Sequence, residues 1–600
     1  MSPAALHRDI SGRYLGQDPN SLEVYSTAKN WLTACSAHTK CNETVSGSSH
    51  IDAHNSLLPT RCIEISKTDG ELYLRETEDM HGAYITLTHR WNAGTEKCKT
   101  TTSNYAERLL GHDLDELPQL FKDVLAIAQK LGIYFVWIDS LCIVQYGDDG
   151  ADWRREAPKM AQYYQFSIFT IAGTKEDMAD GLLVPCSDNH TPWISRLVQL
   201  PYRDKNNSSA GSFYVYRRNP PLVEDYISQV RDSILFRRGW ILQEWLLSKR
   251  LLWYTTHGLF FECQQELPRS DDHSQLTFAL GKSELQSHLQ LKASFHYSSK
   301  SILDFWYNAL EVYSTCHLTK PNLDRILAVS GLAKEVGAIL ARAGTGCDKN
   351  DVDKEVFLSG LWLRDIHRGL LWEEDHATQP CTTRVPNTPS WSWTCLLTVM
   401  KWPDNGQSTQ PACRITGVCL HQQETHSLPE YAVFKDHFLR PTILLSERHH
   451  FDPTNMFACL HVSGKLHTVQ VRGHLLTEEN LYTAAFSTAY TPAPRESRWR
   501  AICSPARPEI IAGWGSMDQL PTTADTCADF GVAVRALLVS TRELRSGILL
   551  KRSEPILDLL FLEEVESQTG VYRRLGVGRV ADMDLIRDFE DMLEEDFQLI

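Results

Sequence analysis

The clearest alternation of apolar and polar positions runs from residue 83 to residue 263. AYITLTH (83–89) is apolar and β-branched and predicts a buried strand. A polar loop is expected from Arg90 to about Glu116. LPQLFKDVLAIAQKLG then sets Leu120, Phe121, Val124, Leu125, Ala128 and Leu131 on one helical face; Pro118 suits the first turn and Gly132 the C′ position. IYFVWID (133–139) is a continuous apolar run, which fits a strand covered on both faces. DDGADWRREAPKMAQYYQFS carries Trp153, Ala157, Met160 and Tyr164 at helical spacing. Pro158 inside it costs about 3 kcal/mol unless the helix kinks or starts there. SIFTIAG (167–173) predicts a third strand, and a long loop is expected to run on to about Asp232. RRGWILQEWLLSKR reads as a helix, with LLWYT and GLFFEC as further strands.

Strand and helix alternate here, which predicts an α/β fold with a parallel sheet. Ligands of such sheets sit beyond the carboxyl ends of the strands. The residues that fall there are His89, Arg90 and Trp91, then Asp139 and Ser140, then Gly173 and Thr174.

Outside this stretch the patterning changes. Residues 1–80 read as a leader with one helix, SLEVYSTAKNWLTAC, and two short strands, RCIEIS and ELYLRE. Residues 266–400 read as mainly helical, from SILDFWYNALEVYS, LDRILAVSGLAKEVGAIL and EVFLSGLWLRDIHRGLLW, with composition changing at TPSWSW. Residues 401–580 read as a β-rich module, from runs such as ACRITGVCLH, FACLHVSGKLHTVQVRG, VAVRALLVS, GILLKR and GVYRRLGVGRV. Residues 581–600 read as an acidic amphipathic helix. A chain of 600 residues exceeds one core, so several packed units are expected.

Net charge is −15, which argues against a general nucleic-acid binder, because phosphate affinity needs concentrated Lys and Arg. No run of about 18 apolar residues occurs, so no membrane span is expected. The opening MSPAALHRDISGRYLGQDPN lacks an apolar signal core, so a cytoplasmic location with reduced, mostly buried thiols is expected for the sixteen cysteines. Cys35, His38 and Cys41 lie close together in CSAHTKC, with Cys62 following in LPTRC. Zinc sites usually draw on two close ligand pairs. This group has three near members and a distant fourth, and it reads as a helix cap packing its thiols, with no metal.

Several segments resemble one family. YITLTHRWN resembles the opening of the fungal heterokaryon-incompatibility (HET) domain, where a strand leads into a Trp-Gly pair; here Trp91 is followed by Asn92. The stretch from LPQLFKDVLAIAQKLG to SIFTIAG resembles the domain's centre, and FRRGWILQEWLLSKRLLWYTTHGLFFEC the block after it. LDRILAVSGLAK, FLSGLWLRD and PSWSW resemble the downstream pattern of full-length HET proteins. The resemblance places a HET domain over 81–265, with its core at 84–245. It implies a TIR/flavodoxin-like parallel sheet and a role in self/non-self recognition and programmed cell death. A protein partner or self-association follows from that role.

HET domains are held to be distantly similar to TIR domains, some of which cleave NAD with one glutamate on a helix after the third strand. The resemblance therefore raises NAD as a substrate rather than a bound cofactor. Trp240 precedes Glu244 by four residues in GWILQEWLL, as in plant-type TIR enzymes, and makes Glu244 the candidate catalytic carboxylate. Glu156 in DWRRE is its rival. His89, Arg90, Trp91, Asp139 and Trp240 are the candidate substrate-binding residues. A structural reading competes at each position: Glu244 pairs with Arg237, Arg238 or Lys249, Glu156 with a neighbouring arginine, and Trp240 packs in the core. No Walker A, GxGxxG, HExxH or GxSxG pattern is present, which argues against P-loop, hydride-transfer, zinc-protease and serine-hydrolase chemistry.

Overall fold

A computed structural model describes residues 18–47, 49–67, 71–111, 116–176, 178–184, 194–218, 220–271, 275–276, 291–295, 299–343, 357–376, 378, 383–386, 388–403, 409–420, 457–475, 498–518, 531–544, 554–566 and 568–600. The chain divides into two compact units. The first comprises Met1–Ser298, Cys316–Leu318 and Ala328–Ile339; the second comprises Ser299–Thr315, Thr319–Leu327 and Leu340–Ile600. Among the described residues, no helix is long and apolar enough to cross a membrane.

The first unit is α/β, as expected. Its main sheet contains β1 (Arg61–Ile65), β2 (Leu72–Glu76), β3 (Tyr84–Thr88), β4 (Phe135–Trp137), β5 (Thr170–Gly173), β6 (Arg250–Thr255), β7 (Gly258–Cys263) and β8 (Arg269–Ser270). Their spatial order is β8-β7-β6-β5-β3-β4-β1-β2. The central four strands are parallel, with Thr86 of β3 opposite both Trp137 and Thr170. β3 lies between them and is buried along its whole length, which explains its unbroken apolar and β-branched composition. The outer strands run antiparallel to their neighbours.

Several expectations need correction. β1 and β2 are no separate leader: β1 pairs through Ile63 and Glu64 with Val136 and Phe135, supplying β4 with the ladder partner its edge would otherwise lack. The span after Arg90 is not only loop, since short helices occupy Ala93–Lys97 and Tyr105–Leu110. The loop expected before Asp232 contains a hairpin, Ile194–Arg203 with Ser209–Arg218. Its alternation of apolar and polar residues is a strand signal.

Helix α1 covers Leu22–Cys35 and α2 covers Gln119–Lys130, the latter followed at C′ by Gly132 with φ +79°. Pro158 does break its helix: α3 (Ala151–Glu156) and α4 (Met160–Phe166) are separated by a 3₁₀ turn at Ala157–Lys159. Helix α5 is Ile241–Leu247, shorter than its pattern suggests and buried at every residue.

Helices at Ser299–Ser314, in the second unit, and Leu327–Ala343, most of which belongs to the first, answer to the first two apolar patterns. The third pattern is helical only in its second half, at Leu363–Asp365 and Ile366–Gly369. Phe357–Leu358 and Leu361–Trp362 form a hairpin around Ser359 and Gly360, whose φ values of +43° and +98° suit a tight turn. A nine-stranded sheet follows. In it Phe457–Leu475, Val532–Leu544, Glu554–Glu564, Val571–Val580, Gly513–Met517 and Arg500–Cys503 pair in succession back to the first, closing a ring. Val469, Ile502, Leu538, Leu559 and Phe561 are part of the core of this sheet. GILLKR (547–552) lies outside the described residues.

The terminal acidic helix is also corrected. It spans only Met583–Glu590, capped by the Asp582 carboxylate accepting from Leu585 N at 3.0 Å. Glu594–Leu599 is a strand, antiparallel to Phe457–Leu475 and parallel to Val571–Val580. Phe597 and Leu599 are buried while Asp596 is exposed and Gln598 half-buried, a period of two rather than 3.6. The expectation of wholly reduced cysteines fails at Cys459, which is disulfide-bonded. The strand register sets Cys419 opposite it.

Candidate functional site

The carboxyl ends of β3 and β4 and the start of α5 bring together a buried polar group. Thr88, the last residue of β3, donates its hydroxyl to Glu244 Oε2. Glu244 is only 1% exposed. Arg238 Nη1 approaches the same oxygen at 3.4 Å, whereas Glu244 Oε1 is buried with no hydrogen-bond partner. Burial raises the Glu244 pKa above the ordinary glutamate value, with Asp139 adding to the rise and Arg238 and Thr88 opposing it. The structural reading of Glu244 is thus half met: Arg238 does pair with it, through one oxygen, while Arg237 is exposed.

Asp139 stands across from this carboxylate at the end of β4. Its Oδ1 accepts from Ser140 N at 2.7 Å and its Oδ2 from Trp91 Nε1 at 3.1 Å. Burial raises its pKa, against the pull of Arg238. The Arg238 guanidinium is influenced by both acids, and their charges raise its pKa despite the opposing effect of burial.

His89 follows Thr88 and is buried, its ring edge-on to Phe121 with centroids 5.2 Å apart. Its Nδ1 lies 3.8 Å from Asp139 Oδ1, beyond hydrogen-bond range, and neither ring nitrogen has a hydrogen-bond partner. Burial, reinforced by Arg238, lowers its pKa to about 3, so the imidazole is neutral at physiological pH. Ser140 Oγ is a further buried polar atom without a hydrogen-bond partner.

The remaining candidates are placed less centrally. Arg90 is exposed at the strand end, and Trp91 is half-buried. Asn92 has φ −132°, extended backbone that needs no glycine, and its carboxamide caps the next helix by accepting from Gly94 N at 2.9 Å and Thr95 N at 3.0 Å. Trp240 is half-buried, and its carbonyl accepts from Glu244 N at 3.2 Å. Its ring meets Trp153 edge-on, with centroids 5.5 Å apart. Glu156 is fully engaged elsewhere: Tyr163 donates to it at 2.7 Å, Arg155 at 3.2 Å and Lys159 at 3.3 Å. Burial would raise its pKa, but Tyr163 and Lys159 outweigh that and lower it.

Sequence reasoning missed Thr88 and the buried hydroxyls below it. Thr86 and Thr170 lie 2.7 Å apart, and Thr170 is 2.6 Å from Ser248, which donates to the Glu244 carbonyl at 2.5 Å. Threonine in a strand reads as β propensity, so the signal was present without its role being visible.

Residues 84–244, spanning this site from β3 to Glu244, match the family model described as Heterokaryon incompatibility protein (HET). The chain carries a HET domain. No curated protein and no solved structure matches it. The HET domain therefore supplies every residue of the strand-end group, from Thr88 to Glu244.

Proposed function

We propose that this HET domain protein acts as a signalling module in fungal self/non-self recognition and triggers programmed cell death. It would do so through self-association or a protein partner. The match of residues 84–244 to the HET family model carries this reading. Induced expression of the full chain in a fungal host tests it: loss of viability is the expected result, and unimpaired growth at high expression refutes it.

A second reading, a TIR-like NAD glycohydrolase, is favoured by one specific observation. Glu244 Oε1 is a buried carboxylate oxygen without a hydrogen-bond partner at the strand ends. Along the sheet the parallel strands follow β4-β3-β5-β6, so the chain's course reverses between β3 and β5, where open α/β sheets bind ligands. In the reaction, the bond between nicotinamide and ribose breaks, and water supplies the new oxygen. Nicotinamide, ADP-ribose and a proton result. A carboxylate beside the ribose stabilises its oxocarbenium character. Substrate access requires the half-buried side chains of Trp91, Asp139 and Arg238 to shift, and assembly is the event that would shift them.

Concentrated protein should then release nicotinamide from NAD, Glu244→Gln should abolish release, and Glu156→Gln should retain it. If wild type kills cells yet releases no nicotinamide under any assembly condition, the enzyme reading falls and the signalling reading stands.

A further inference from the structure

Cys35, His38 and Cys41 do assemble a site, but not with Cys62, which is buried within β1. Their fourth member is Cys263, the last residue of β7. One donor atom from each of the four residues lies within 4.8 Å of the others. We propose that Cys35, His38, Cys41 and Cys263 form a structural zinc site that clamps α1 to the outer strands of the sheet.

The distances suit the ion. With Zn–S bonds of about 2.3 Å and Zn–N bonds of about 2.0–2.1 Å, the edges of the tetrahedron are about 3.8 Å between sulfurs and about 3.6 Å between sulfur and nitrogen. His38 Nδ1 lies 3.8 Å from Cys41 Sγ and 3.7 Å from Cys263 Sγ. The three cysteines are free and buried. Four protein ligands complete the zinc shell and leave no open position, as in structural rather than catalytic sites.

The surroundings complete the argument. His38 turns Nδ1 toward the sulfurs and Nε2 toward Glu266 Oε1 at 3.3 Å. A carboxylate on the far nitrogen is the arrangement that fixes the tautomer of a metal-bound histidine. Arg250 Nε donates to Cys35 Sγ at 3.2 Å, and its Nη2 is held by Asn42 Oδ1 at 2.7 Å. Three thiolates and one divalent zinc leave one net negative charge, which this guanidinium offsets. Apolar packing runs alongside, with Trp31 of α1 stacked on Phe261 of β7 at 5.6 Å.

Three ligands precede the segment that matches the HET model and the fourth follows it, so the ion would hold together the two ends flanking that segment. In sequence the site was hidden by distance: CSAHTKC supplies three ligands in close spacing, and nothing links them to a cysteine in GLFFEC.

Elemental analysis of the full chain, purified without chelator, tests the proposal. About one zinc per chain is expected. Cys41→Ser and Cys263→Ser should each lower that content at least about tenfold, Cys62→Ser should leave it unchanged, and His38→Cys should retain it. Should the serine variants fail to fold, cobalt substitution of the wild-type chain decides: thiolate-to-cobalt charge transfer with tetrahedral ligand-field bands supports the site. Negligible zinc together with no cobalt uptake by a folded chain overturns it. Retention of zinc by folded Cys263→Ser, or iron at equal stoichiometry in place of zinc, overturns it as well.

Discussion

Thr88 and Glu244 are 156 residues apart in the chain, yet the threonine hydroxyl donates directly to the buried carboxylate. The contact joins the end of the central strand to the helix carrying the candidate glutamate. Thr88→Val preserves shape and removes the donor. It should cost about 1–3 kcal/mol at neutral pH, read by urea unfolding, because a buried acceptor loses its partner. A cost below about 0.5 kcal/mol would mean that the contact contributes little.

The raised pKa of Glu244 also has a signed consequence. Above its raised folded value the carboxylate is charged at a desolvation cost; below the ordinary value of about 4.3 it is neutral in both states. Its contribution to stability therefore falls as pH rises through the window between those values. Glu244→Gln remains neutral throughout. Its stability relative to wild type should rise from about pH 4 to about pH 7, measured by unfolding at several pH values. A difference that does not change with pH would contradict the burial of an ionisable Glu244.

His89 acts in the opposite sense. Its folded pKa of about 3 lies below the ordinary histidine value, so its contribution is fully present above about pH 6.5 and is lost as pH falls toward the folded value. At pH 5 the loss from this one group is about 2 kcal/mol. His89→Gln cannot take up that proton, so it should lose less stability than wild type between pH 7 and pH 5. Thermal unfolding at the two pH values is the check, and equal losses would refute it.

The parallel centre of the sheet was legible because each strand, 84–88, 135–137 and 170–173, is an apolar run bounded by polar or glycine residues. The strand-end rule then placed His89 and Asp139 near each other before any geometry was known. What remained hidden was pairing between distant segments. β1 carries no mark that it pairs with β4, and CSAHTKC carries none that it meets Cys263. The hairpin at Ser359–Gly360 was legible in principle, since a Ser-Gly pair between short apolar runs is a turn signal. The helical period of the surrounding leucines outweighed it. At the C-terminus, DFQL alternates with period two, but the acidic helix before it masked the change.

In the second unit, Arg574 is fully buried, with Nε 2.7 Å from Asp518 Oδ2 and Nη1 donating to the Leu370 carbonyl at 2.5 Å. Its guanidinium also lies over the Trp372 ring, 3.3 Å from the centroid. A lysine supplies one charge but neither the planar fork nor the stacking. Arg574→Lys should therefore destabilise this unit by about 3–5 kcal/mol, close to the cost of Arg574→Ala. A lysine variant that unfolds like wild type would show that charge alone suffices.

Glu262, which sequence reasoning never singled out, organises the core beside the candidate site. It is 2% exposed and accepts from three aromatic donors: Trp245 Nε1 at 3.0 Å, Trp253 Nε1 at 3.0 Å and the Tyr226 hydroxyl at 3.1 Å. Trp245 is the residue after Glu244 on α5, and its ring is stacked by Arg231, whose guanidinium carbon is 4.1 Å from the centroid. One carboxylate thus ties α5 to β6 and to the residues before the helix. Glu262→Ala would orphan three buried donors and remove one of the negative groups near Arg231. A cost of about 3–5 kcal/mol is expected, with lost near-UV ellipticity from the tryptophans. Glu262→Gln keeps one carbonyl acceptor but turns an amide donor toward other donors, so its cost should fall between wild type and Glu262→Ala. The order Ala, Gln, wild type in rising unfolding midpoint is the result this geometry requires. If Glu262→Ala lay within about 1 kcal/mol of wild type, the three aromatic groups would have other partners and the carboxylate would not be what positions α5.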